Sequence, residues 1–225
     1  MLVQSASAQE TVHLKLSYLR AKRVLDVVVS LLLLPLFGLV MPVIALLIHL
    51  DSQGPILYRQ KRIGQNGVEF DFFKFRSMYV NNDDASHRTA VQQFMNGHQL
   101  NHGNSTSDFY KLKNDRRVTR VGKFLRKTSL DELPQFLNVL RGEMSLVGPR
   151  PPLSYEVERY SPRDLLRLAG KPGLTGTWQV YGRSRVSFKE MIEMDISYLQ
   201  KQSLRYDLKL IFLTIPVMLL GRGGG

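Results

Sequence analysis

The sequence predicts an α+β protein, a helix-rich cytoplasmic domain with a small β-hairpin, anchored by an N-terminal re-entrant membrane helix. Three observations carry this expectation. Residues 27–48 hold no charged side chain and are dominated by Leu, Val and Ile, enough to cross the hydrocarbon of a bilayer. Two β-prone stretches flank Asn66-Gly67, a strong hairpin signal. Much of the remainder places apolar residues at helical spacing, bounded by capping and glycine signals. The implied organisation is an N-terminal arm over 1–21, a membrane helix over 22–50 and a domain over 51–225 with a polar insertion at 83–108.

Composition narrows the function classes. A chain of 225 residues holds one sizeable domain plus an appendage. Its formal net charge of +12 asks for an anionic partner: nucleic acid, an acidic lipid surface or phosphorylated small molecules. The absence of cysteine excludes a disulfide framework and any thiolate metal site, and fits the reducing side of a membrane.

Met1 to Ala8 is small, polar and without periodicity. The apolar run that follows lacks the early position, short core and cleavage site of a signal peptide. Its flanks are both basic, with Lys15, Arg20, Lys22 and Arg23 before it and Arg59, Lys61 and Arg62 after it, so both ends read as cytoplasmic. A re-entrant hairpin answers that symmetry. Pro35, Gly38 and Pro42 remove helical hydrogen bonds and permit the bend, the alternative being a kink in a spanning helix.

Ile56 to Gln60 and Val68 to Phe75 are the two hairpin strands. Lys74 and Arg76 alternate with Phe73 and Phe75, which puts both cations on one face, either to bind an anion or as a solvated strand face. In the polar insertion, His87 to Met95 suits a short helix. His98 and His102 have metal-ligand spacing for a helix, but Gly97 and Gly103 argue against that helix and hence against the metal. Lys111 to Lys127 is rich in cations yet shows no zinc finger, ribonucleoprotein motif or helix-turn-helix to read nucleic acid.

The chain then presents two adjacent carboxylates, Asp131 and Glu132, just after Arg126 and Lys127. Leu133, Phe136, Leu137 and Leu140 predict an amphipathic helix ended by Gly142. Ser129 to Glu132 reads as a capping box, but Pro134 would then sit past the first turn; a start at Asp131 removes that conflict. In either case both carboxylates face a helix N-terminus and nearby cations, which favours ionisation. Such a carboxylate can attack phosphorus when a divalent metal neutralises the oxygens that would repel it. Ordinary N-terminal helix residues look the same in isolation.

Downstream, Pro149, Pro151 and Pro152 hold Arg150 in extended backbone, which restricts one guanidinium to directions suited to phosphate. Ser161-Pro162 opens a helix ending near Gly170. Lys171 to Arg183 is a turn-rich loop around Trp178, with Gly173, Gly176 and Gly182 allowing close approach to a phosphate or nucleoside. Ser187 to Glu190 is a capping box for a helix through about Gln200, with Ile192, Ile196 and Leu199 as core. Leu208 to Leu220 is apolar but too short to span, and is either buried or laid against a membrane.

Seven ordered motifs resemble the bacterial sugar transferases, the monotopic polyprenyl-phosphate phosphoglycosyl transferases. They are Lys22-Arg-Val-Leu-Asp26, Asp51-Ser-Gln-Gly-Pro55, Arg59-Gln-Lys-Arg-Ile-Gly64, Phe73-Lys-Phe-Arg-Ser-Met78, Thr128-Ser-Leu-Asp-Glu-Leu-Pro134, Gly148-Pro-Arg-Pro151 and Pro172-Gly-Leu-Thr-Gly176. The resemblance implies transfer of a sugar 1-phosphate from a UDP-sugar to undecaprenyl phosphate, with release of UMP. The reaction would take place at the cytoplasmic face of the bacterial inner membrane, against its lipid, as the first membrane step of exopolysaccharide, capsule or O-antigen synthesis.

The same resemblance implies that Asp131 is the nucleophile of a covalent phosphosugar intermediate, that Glu132 is its dyad partner, and that Mg2+ is required at the pair. It implies a phosphate-binding Arg126 and a Pro149-Arg150-Pro151 motif. Lys74, Arg76 and Arg183 join Arg126 and Arg150 as substrate-binding cations. One departure concerns the membrane helix. The family's Ser-Pro bend aligns with Gly38-Leu39, and the prolines lie at 35 and 42. No nucleic-acid partner is expected, and a homodimer is left open. Direct transfer without an intermediate and a membrane-anchored nucleic-acid binder are the rival readings.

Overall fold

The computed structural model describes residues 12, 15–80, 85–96, 115–182 and 186–219. It is an α+β structure with many helices and little sheet. Helix α1 (Leu16–Asp51) is followed by strands β1 (Leu57–Ile63) and β2 (Glu69–Phe75), then α2 (Ala85–Met95), α3 (Arg120–Thr128) and α4 (Gln135–Arg141). Strand β3 (Ser145–Val147), short helix α5 (Ser154–Val157), strand β4 (Gly173–Thr175), α6 (Phe188–Lys201) and α7 (Leu204–Leu219) complete it.

α1 starts at Leu16, inside the expected N-terminal arm, and stays helical through Pro35, Gly38 and Pro42 to Asp51. The expected bend therefore does not end the helix. Among the described residues it is the one helix long and apolar enough to cross a membrane. Its middle exposes Leu31, Leu32, Leu34, Leu36, Leu39 and Val43, a continuous apolar surface of the kind that marks an interaction with lipid or protein.

Both halves of α1 are nevertheless tied to the domain. In the first half Lys22 Nζ donates to Asp207 on α7 (2.7 Å) and to the Tyr198 hydroxyl on α6 (3.1 Å). Asp26 accepts from Ser145 Oγ (3.0 Å) and Leu146 N (2.9 Å), while Arg23 donates to the Val139 and Leu140 carbonyls that end α4. Buried charges persist only when paired in this way. In the second half, Ile44 and Ile48 pack with Phe75 and Leu125.

β1 and β2 form the expected antiparallel hairpin, with Leu57 opposite Phe75 and Ile63 opposite Glu69. Asn66 and Gly67 take positive φ of 57° and 80°, the conformation that makes this dipeptide a turn former. One expectation fails: the hairpin does not divide into a cationic and an aromatic face. Phe70 and Phe72, on the side of Lys74, are buried like Phe73 and Phe75, because α4 and α6 cover one surface while α1 and α3 reach the other.

β3 and β4 pair in parallel, a contact between segments 28 residues apart (Ser145 with Gly173) that no local signal announces. Gly148, Gly173 and Gly176 serve this crossing. A Cβ at Gly173 would lie 2.1 Å from Gly148 N, and one at Gly176 would lie 2.4 Å from Gly148 O. Those glycines admit neighbouring backbone, not the ligand expected there. Trp178 is likewise core, buried with Leu166, Met191, Ile192 and Ile196. The expected helix after Ser161-Pro162 is a six-residue 3-10 segment, Asp164–Ala169. Ser187 forms the predicted capping box with Glu190 at the start of α6, and those hydrogen bonds hold the Glu190 carboxyl below its ordinary range.

Candidate active site

Asp131 and Glu132 lie in a single 3-10 turn, Leu130–Glu132, wedged between α3 and α4. Three features place them. Thr119 caps α3 by accepting from Gly122 N (2.9 Å), and Asp51 at the end of α1 accepts from Val121 N (3.0 Å), so both satisfy donors at that helix start. α3 ends at Ser129, whose left-handed backbone (φ 57°) redirects the chain, an uncommon conformation for a residue with a side chain. Leu130 and Leu133, on either side of the acidic pair, then pack onto the cluster of Ile44, Ile48, Phe75 and Leu125. The carboxylates are thus held beside the second half of α1.

This differs from the sequence expectation in two respects. Ser129 makes no side-chain cap, so the capping box at Ser129 to Glu132 does not form. α4 starts at Gln135, with Pro134 at its N-cap position, where a missing N–H costs nothing; the acidic pair precedes the helix instead of opening it.

Lys74 is a cation shared by the pair. Its Nζ is 2.9 Å from Glu132 Oε1 and 3.9 Å from Asp131 Oδ2, so one ammonium serves both carboxylates. Asp131 is 4% exposed, whereas the Glu132 side chain keeps 31% of its surface open. A carboxylate buried to that degree calls for nearby cations, and Lys74 supplies one. Lys74 also stands 5.4 Å over the Phe72 ring, which adds a cation–π contact.

Arg126 lies in the last turn of α3, five residues before Asp131, and its charge reaches Asp115, whose carboxyl is held low chiefly by its hydrogen bond to Arg117. Arg150 lies in the loop after β3, and the backbone around it is fixed residue by residue. The carbonyls of Pro149, Arg150, Pro151 and Pro152 accept from Gly173 N (2.9 Å), Arg167 (3.2 Å), Arg62 (2.9 Å) and Ile63 N (2.9 Å). The prolines supply φ and these four donors supply the rest. Pro149 and Pro151 are buried.

Arg76 is placed elsewhere. Its guanidinium binds the carbonyls of Gln53 (2.7 Å), Ser52 and Ile48 and the Ser52 hydroxyl, which closes the C-terminus of α1. It lies past the end of β2 and does not share the role of Lys74. Arg183, His98 and His102 lie outside the described residues. Arg62 and Arg167 were not singled out as site residues by the sequence, since nothing local marks an arginine whose partner is a carbonyl 89 or 17 positions away.

Among the described residues no group of three or more His, Asp or Glu side chains converges as a metal cage. Asp131 and Glu132 still fit Mg2+, which takes one or two carboxylates and completes its shell with water and substrate phosphates.

The sequence model of the bacterial sugar transferases matches residues 17–221, nearly all of the chain described above. This protein belongs to that family. The transferase is 43% identical over 210 residues to "Galactosyl transferase CpsE" of Streptococcus agalactiae serotype III, covering 93% of this chain and 44% of that protein. It is 42% identical over 205 residues to "Exopolysaccharide production protein ExoY" of Rhizobium meliloti, covering 90% and 87%. It is also 42% identical over 206 residues to "UDP-glucose:undecaprenyl-phosphate glucose-1-phosphate transferase" of Caulobacter vibrioides, covering 88% and 69%. This sugar transferase thus spans less than half of the first relative and most of the second.

Proposed function

We propose that this sugar transferase moves a sugar 1-phosphate from a UDP-sugar to undecaprenyl phosphate, through a covalent intermediate on Asp131. The observation that carries the reading is a buried carboxylate, Asp131, sharing one lysine with Glu132 beside the apolar helix. The name of the Caulobacter relative supports the substrates.

In the first half-reaction an Asp131 oxygen attacks the sugar-bearing phosphorus of the donor. The bond from that phosphorus to the bridging oxygen breaks, and UMP leaves with the bond's electron pair. In the second, an oxygen of the lipid phosphate attacks the same phosphorus, the acyl–phosphate bond breaks, and the Asp131 carboxylate is regenerated as the lipid diphosphosugar departs. Splitting the transfer in this way lets the nucleotide leave before the lipid enters. Bound Mg2+ would be held by Asp131 and Glu132 and would supply neutralising charge to the phosphate oxygens. Lys74 offsets the carboxylates and then the transferring group, and Arg126 and Arg150 bind phosphate oxygens.

α1 provides the lipid contact. Its exposed middle enters the membrane and both halves stay attached to the domain, through Asp26 and Lys22 at one end and Ile44 and Ile48 at the other. That double attachment supports a helix that dips into the cytoplasmic leaflet of the inner membrane. The excess of cations suits two anionic substrates meeting at that surface.

The test is purified protein in detergent with undecaprenyl phosphate, Mg2+ and a panel of UDP-sugars, read as UMP release. At least one donor is expected to release UMP, with loss on chelation and in Asp131→Asn. Release that is undiminished in Asp131→Asn overturns the reading.

A further inference from the structure

Resting on the transfer chemistry proposed above, we propose that Asn138 is a positioning residue: its carboxamide sets the separation between Lys74 and the Asp131–Glu132 pair. Asn138 lies in the middle of α4 and is 0% exposed. Its Oδ1 accepts from Phe73 N (3.2 Å), and its Nδ2 donates to Asp71 O (2.6 Å) and to Glu143 Oε2 (2.6 Å). One side chain therefore satisfies an N–H and a C=O two residues apart on the same strand.

The geometry explains why an amide is needed. In an antiparallel pair, alternate residues turn their backbone groups toward the partner strand and the rest turn them outward. β2 has one partner, β1, so Asp71 C=O and Phe73 N–H on its other edge have no strand to meet. The Asn138 carboxamide, a donor and an acceptor side by side, pairs with that edge as a one-residue strand. Packing alone would not require it. Val139 of α4 and Phe72 of β2 already share the main core, and an apolar residue at 138 would fill the same space.

What the amide adds is register. Phe73 immediately precedes Lys74, and α4 begins three residues after Glu132. Asn138 thus fastens the helix that follows the acidic pair to the strand that carries their lysine, at hydrogen-bond precision. Displacements near 1 Å in such constellations change rates by roughly 100-fold.

The test compares Asn138→Leu, Asn138→Asp, Lys74→Met and the Asn138→Leu/Lys74→Met pair, all assayed well below their melting midpoints. For Asn138→Leu, kcat is expected to fall roughly 10- to 100-fold, with KM for the UDP-sugar within about twofold. The double variant should be no slower than Lys74→Met alone. Asn138→Asp lacks the donor while ionised and regains it when protonated, so its activity relative to the unsubstituted enzyme should recover as pH falls. The side-chain ammonium of Lys74, followed by 15N-edited NMR, should lose its hydrogen-bonded signal in Asn138→Leu. Full kcat in Asn138→Leu, independent losses in the double variant, or an unchanged Lys74 signal would each overturn the proposal. If the unsubstituted enzyme releases no UMP with any donor, the transfer chemistry is wrong, and the Lys74 signal alone then decides the role of Asn138.

Discussion

Lys74 Nζ and Glu132 Oε1 are 2.9 Å apart across the gap between the hairpin and the turn that follows α3, with Asp131 Oδ2 1 Å further from the same ammonium. This contact joins two segments 58 residues apart. Replacing Lys74 by Met keeps an unbranched side chain and removes the charge that stands over Phe72. Turnover is expected to fall by about 100-fold or more, the cost of losing one preorganised group at a developing charge. Steady-state UMP release, with circular dichroism to confirm folding, measures it.

Arg62 supports the Arg150 loop by donating to the Pro151 carbonyl at 2.9 Å. In Arg62→Leu that buried carbonyl loses a charged donor, a cost of about 1.5–3 kcal/mol. Denaturant titration should show this loss. Because Arg150 is then less well directed, KM for the donor should rise more than kcat falls.

Gly122 lies where α3 crosses the chain just after β2. A Cβ there would sit 2.0 Å from Ser77 O, so Gly122→Ala must push α3 outward. α3 carries Arg126, and the expected result is about 1–3 kcal/mol of destabilisation together with reduced activity. A thermal melt and the UMP assay check the two effects separately.

Burial pushes the Asp195 carboxyl up to about 6 from 3.8, with Arg167 pulling it the other way. The folded protein then holds this proton more tightly than the unfolded chain. Its stabilising contribution is complete below the unfolded value of 3.8 and is lost as pH rises through about 6. Relative to Asp195→Asn, the unsubstituted protein should lose roughly 2 kcal/mol between pH 4 and 7, at about 1.4 kcal/mol per pH unit of displacement. Urea titrations across that range test the sign as well as the size.

What the sequence reveals is what local physics decides. Asn66-Gly67 marks the hairpin because its backbone preference belongs to two residues. Ser187 and Glu190 mark the start of α6 because a capping box closes within one turn. Asp131 and Glu132 stand out because they are adjacent. The misplaced features depend on distant partners. Arg76 resembles Lys74 in the sequence, yet the open carbonyls at the end of α1 claim it. Gly173 and Gly176 resemble a ligand loop, yet Gly148 occupies their space. Lys22 reads as a membrane flank, and only the fold shows it bonded to Asp207, 185 residues away.

The most direct measurement uses a donor radiolabelled in its sugar, incubated with the protein and Mg2+ without lipid acceptor, quenched and resolved from free nucleotide. Label is expected on the protein, removable by adding undecaprenyl phosphate and absent from Asp131→Asn. An enzyme that turns over in the presence of lipid, yet holds no label when lipid is withheld, would contradict attack by Asp131.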